Sequence, residues 1–138
     1  MKKVIFTIFL GLIIVGCAIS QNGQKLNADT LENSSWVLVS ISNKSLNLEK
    51  MPTLQFTQKR AAGFNGINNF SANYKLSNGN KLVFSDMITT RMAAISSELS
   101  KVEEEFVNAL VNTNLFELKD DLLSIYGAGD TLVFKKIK

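Results

Sequence analysis

The sequence predicts a mainly-β, α+β domain: a small antiparallel sheet of about eight short strands with one packed helix. Three observations carry that reading. Apolar and polar residues alternate through several short runs, as in Phe70, Ala72, Tyr74 and Leu76 against Ser71, Asn73 and Lys75. Turn residues punctuate the runs, most clearly Asn78-Gly79-Asn80. A single stretch breaks the alternation: Ile95, Leu99, Val102, Phe106 and Leu110 recur at helical spacing.

Trp36–Ile41 forms the first strand, and Trp36 is expected to act as a core or sheet-closing aromatic. Pro52 precedes the second, Thr53–Thr57, with Leu54 and Phe56 inward. Lys59-Arg60 bends the chain into the stretch Ala62–Tyr74, read as a strand, a strained turn and another strand. Within it Gly63 and Gly66 supply backbone angles or a close approach that a Cβ would forbid. Asn65, Asn68 and Asn69 tolerate left-handed backbone and bond their own main chain. Ser96 and Ser97 cap the helix, and Asn112-Thr113-Asn114 ends it. Glu98, Glu103, Glu104 and Glu105 are expected on its solvated face. Leu115–Leu118, Leu122–Tyr126 and Thr131–Phe134 complete the sheet, joined by turns at Asp120-Asp121 and at 127–130.

The N-terminus is of a different kind. Lys2-Lys3 and the apolar run Val4–Val15 make a basic and a hydrophobic region, too short to span a bilayer, which needs about 20 residues. Ile14-Val15-Gly16-Cys17 resembles the lipobox of bacterial lipoprotein signal peptides. That resemblance implies cleavage after Gly16 and a lipid on Cys17, the only cysteine of the chain. Two or three acyl chains would hold the protein at a membrane, since each buried methylene contributes about 0.8 kcal/mol. The expected organisation is a signal peptide over 1–16, a polar tether over 17–29 and one folded domain over 30–138. Localisation in the bacterial cell envelope follows, and Ala18 after the cysteine leans towards the outer membrane.

Composition narrows the function. The 138 residues contain no histidine, the commonest general base and metal ligand. A lone cysteine excludes an internal disulfide and a multi-thiolate metal site. Without Lys2 and Lys3 the chain carries 13 basic and 12 acidic side chains, a net of +1. Nucleic acid is therefore not an expected partner. Ser71 and Ser124 are hydroxyls without a catalytic arrangement around them. Gly127-Ala128-Gly129 lacks the helix that a phosphate loop requires. Neither catalysis nor a cofactor nor a metal is expected.

Leu31, Trp36, Pro52, Leu54, Phe56, Gly63, Gly66, Asn68, Phe70, Tyr74, Thr90-Arg91-Met92-Ala93, Glu103, Phe106 and Leu110 together resemble the META domain of the HslJ-like bacterial lipoprotein family. The resemblance covers about Leu31 to Phe134. It implies a twisted antiparallel sheet partly closed into a barrel, with one helix against it. It also implies associations with envelope stress, antibiotic resistance and, in eukaryotic relatives, motility or virulence. Many members carry cysteines where this chain has Ile67 and Ala94, which implies that these two residues face each other here. The expected role is that of a non-enzymatic envelope module acting by protein contact. The alternative is a small barrel for a hydrophobic ligand, in which Trp36, Phe56, Phe70, Tyr74 and Phe106 would line a cavity. Candidate interaction residues are Phe64, Asn65, Asn68 and Asn69 in one loop and Thr90 and Arg91 in another, with Arg91 suited to an acidic partner.

Overall fold

Nine strands and one helix make up the computed structural model, which describes residues 30–138. The expected signal peptide, Cys17 and the tether lie outside the described residues. The strands are β1 (Ser35–Ile41), β2 (Lys44–Ser45), β3 (Thr53–Phe56), β4 (Arg60–Phe64), β5 (Asn69–Ser77), β6 (Lys81–Thr89), β7 (Thr113–Lys119), β8 (Leu122–Gly127) and β9 (Asp130–Lys136). Helix α1 (Ser97–Val111) intervenes between β6 and β7.

Eight of the strands close into an antiparallel barrel, β1-β3-β4-β5-β6-β7-β8-β9, because β9 pairs back onto β1. This is the barrel-like closure that the resemblance implied. Trp36 stands at the closing seam, opposite Lys136. Its indole Nε1–H donates to Ser34 Oγ at 2.7 Å, and Ser34 in turn donates to the Leu31 carbonyl. The two-residue β2 folds back beside the end of β1; no apolar alternation marks it.

Inward-facing residues of every long strand meet in one core with the buried side of the helix, Val102, Phe106, Ala109 and Leu110. Phe106 lies 5.5 Å from Phe70 and 6.1 Å from Phe134, both edge-on. Phe56 meets Tyr74 at 5.0 Å and Phe84 at 6.3 Å. Such ring pairs contribute roughly 0.5–1.5 kcal/mol each beyond their buried area. The aromatics that a ligand barrel would use as walls therefore fill the interior by packing on one another.

Local chemistry explains the boundaries. Ser96 caps α1, its Oγ accepting from Leu99 N–H at 3.2 Å. Asn78 (φ 36°) and Gly79 (φ 81°) turn β5 into β6, and Ala128 and Gly129 turn β8 into β9. Gly63 answers a different need: a Cβ there would overlap the Thr53 carbonyl oxygen on β3. One expectation fails here, and one tolerance goes unused. Ile95, placed in the helix stripe by its spacing, precedes the N-cap and is 92% exposed. The loop asparagines keep negative φ; Gly66, at +111°, alone supplies the unusual backbone of that turn.

Candidate functional site

Two loops meet at one end of the barrel, the β4–β5 turn (residues 65–68) and the segment after β6 (residues 90–96). Asn65 organises the first. Its Oδ1 accepts from Ile67 N–H at 3.0 Å and Asn68 N–H at 2.7 Å, while its own N–H donates to the Asn68 carbonyl at 2.9 Å. This closes a tight turn with the side chain replacing a backbone acceptor.

Asn68 joins that turn to the second loop. Its Oδ1 accepts from Thr90 Oγ1 at 2.9 Å and Met92 N–H at 2.7 Å, and its Nδ2 donates to the Met92 carbonyl at 3.3 Å. The amide thus mimics a neighbouring strand and fixes Met92 in place. Asn69 N–H donates to Thr90 Oγ1 at 3.1 Å, and Thr90 N–H returns a bond to the Asn69 carbonyl at 3.0 Å.

Helix α1 supplies the third member. Glu103 Oε1 accepts from Asn65 Nδ2 at 2.9 Å and from Asn68 Nδ2 at 2.7 Å. Charge-assisted bonds of this kind are about twice as strong as neutral ones. Glu103 is therefore not a solvated-face residue, as its helix position implied, but the anchor of both loops.

The predicted interaction residues separate into two groups. Asn65 (0% exposed) and Asn68 (4%) are buried and spend their side chains on hydrogen bonds within the fold. Asn69, Thr90 and Arg91 are exposed, and Phe64 is half-buried under Lys50 Nζ, 4.0 Å above its ring centre.

What the network presents is apolar. Met92, Ala93, Ala94 and Ile95 are four consecutive exposed residues, with Met92 65% exposed. Phe64, Ile67, Met92, Ala93, Ile95 and Leu99 wall a shallow hollow of about 280 Å³. Ile67 shares that hollow with Met92 and Ala93, while Ala94 is exposed and is not part of its wall. Spacing places Ile95 in the helix stripe, and sequence reasoning did not single out this exposed run; the apolar residues ahead of the serine cap were the available signal.

Among the described residues no group of three or more histidine, cysteine, aspartate or glutamate side chains clusters as a metal site would. No described helix is long and apolar enough to cross a membrane. No buried side-chain nitrogen or oxygen of the described residues lacks a hydrogen-bond partner.

The family model of the META domain matches residues 29–138. The chain belongs to the META domain family. It is 28% identical over 136 residues to Heat shock protein HslJ of Escherichia coli (strain K12), spanning 98% of this chain and 96% of that one. The solution structure of a protein from Burkholderia xenovorans superposes with a TM-score of 0.63 at 26% identity, over 78% of this chain and 84% of the other. A crystal structure of a duf4847 family protein from Bacteroides vulgatus ATCC 8482 shares the fold at 11% identity, with a TM-score of 0.56 over 78% and 94% of the two chains. The META family assignment thus agrees with the barrel-and-helix architecture.

Proposed function

We propose that this META-family chain is a lipid-anchored cell-envelope protein of the outer membrane that serves a stress-related role by binding another envelope protein. The observation that carries the contact reading is the exposed run Met92–Ile95. Runs of that length are unfavourable on a surface unless a partner covers them. Here the start of the run is held by Asn68, which bonds both main-chain groups of Met92. The stress-related part is supported by the name of the Escherichia coli relative. The anchor is supported by the lipobox-like stretch ending at Cys17.

A photo-crosslinking residue replacing Ile95 in living cells tests the contact. One discrete protein adduct at position 95, lost on Met92→Asp and not formed from position 119, is the expected pattern. A uniform absence of adducts from position 95 would remove the proposal. Incorporation of labelled palmitate by the wild type and not by Cys17→Ser tests the anchor separately.

A further inference from the structure

The barrel has one thin seam. β7 meets β6 at a single register pair, Lys81 with Leu115, extended by the bond from Phe116 N–H to the Asn80 carbonyl at 2.9 Å. Above that point the outer edge of β6 carries no strand among the described residues. Helix α1 packs against β6, β8 and β9, on both sides of the gap.

The bonds at either end of β6 set which backbone groups face outward. Asn80 turns its carbonyl to β7, while Thr90 turns its N–H back to the Asn69 carbonyl on β5. Alternation along an antiparallel strand, stepped once at the bulge around Asp86 (φ 51°), then leaves Phe84, Met87 and Thr89 aiming main-chain groups away from β5. Of these, Thr89 borders an open groove of about 490 Å³ whose other wall is the helix face made by Ser100, Glu103, Glu104, Val107, Asn108 and Val111. Eleven helical steps lead from Ser100 to Val111, a span of about 16 Å. That matches about five residues of extended chain.

We infer that this groove takes up a short, extended, basic peptide segment as an added strand on β6. An unpaired strand edge supplies main-chain bonds to any sequence, and the flanking pocket selects among sequences. Val107 and Val111 offer apolar contact to alternate side chains, and Glu103 and Glu104 place negative charge along the same wall. A peptide alternating apolar and lysine residues fits both. The bulge bends the edge, which confines the addition to a few residues beside the helix. The groove shares no wall residue with the hollow at Met92 and Ala93, so this inference stands or falls apart from the proposed envelope contact.

The test is a titration of the folded domain, followed by amide chemical shifts, with a capped hexapeptide alternating valine and lysine. The expected shifts concentrate on residues 83–89 and 100–111. A peptide N-methylated at alternate residues loses the ladder bonds and should bind at least tenfold more weakly. Replacing its lysines by glutamates, or Glu104→Lys in the protein, should weaken binding about fivefold or more. Equal binding of the N-methylated peptide, shifts centred on Met92–Ile95, or no shifts at millimolar peptide would each overturn the inference.

Discussion

The side-chain amide of Asn68, in the β4–β5 turn, donates to the carboxylate of Glu103, on the helix, across 2.7 Å and 35 positions of sequence. The same oxygen accepts from Asn65. One acidic side chain thereby holds two loops and the helix in a fixed relation. Removing it takes from the buried Asn65 amide its acceptor and from Asn68 the shorter of two, the Met92 carbonyl remaining. Glu103→Ala is expected to cost about 2–3 kcal/mol, whereas Glu103→Gln, which keeps a carbonyl acceptor, costs about 1 kcal/mol. Urea unfolding checks both: the midpoint should fall with an unchanged slope. A Glu103→Ala midpoint equal to wild type would show that the network does not hold the loops.

Why that network escaped sequence reading is a matter of range. The strands, the Asn78-Gly79 hairpin and the serine-capped helix are written in residues within a few positions of each other, so local chemistry decides them. Glu103 has neighbours at 98, 104 and 105 of the same charge, and nothing local separates it from them. Only the return of the chain, which places Asn65 and Asn68 beside that turn of helix, gives it a different role. Ile95 illustrates the reverse error. Its spacing from Leu99 fits the helix stripe, yet Ser96 caps the helix one residue later and leaves Ile95 outside. The bulge at Asp86 and the thin β6–β7 seam leave no mark in the alternation of apolar residues.

Gly63 and Gly79 are both turn-like in the sequence but differ in physical role. Gly63 lies in β4 opposite Leu54, where a Cβ would collide with the Thr53 carbonyl. Backbone cannot yield as a flexible side chain can, so Gly63→Ala should cost about 3 kcal/mol or more. Gly79 has open space around the same position, and its positive φ alone resists substitution. Gly79→Ala should therefore cost only about 1 kcal/mol. Thermal unfolding of the two variants side by side separates a close approach from a conformational preference.

Trp36 reports on whether the barrel interior admits ligands. Its indole is buried at the closing seam and bonded to Ser34. With Phe56, Phe106, Phe116 and Phe134 also fully buried, the wild-type interior is expected to leave tryptophan emission unchanged on addition of fatty acids. Phe106→Ala should cost about 3–5 kcal/mol and open space that small apolar molecules can occupy. A saturable emission change in the wild type would restore the ligand-barrel reading.

Tyr126 makes stability depend on alkaline pH. Burial raises its phenol above the ordinary value of 10.0, and its donation to Glu117 Oε2 at 3.0 Å raises it further, partly opposed by Ser124. Unfolding releases the phenol to its ordinary value. Between the two values the folded chain keeps a proton that the unfolded chain has lost, so the contribution is complete below about pH 10 and disappears as pH climbs through the raised value. Phenolate absorption of the wild type minus that of Tyr126→Phe isolates the titration. Glu117→Gln removes the neighbouring negative charge and should move the midpoint down towards 10.0. An unmoved midpoint would leave burial alone as the cause.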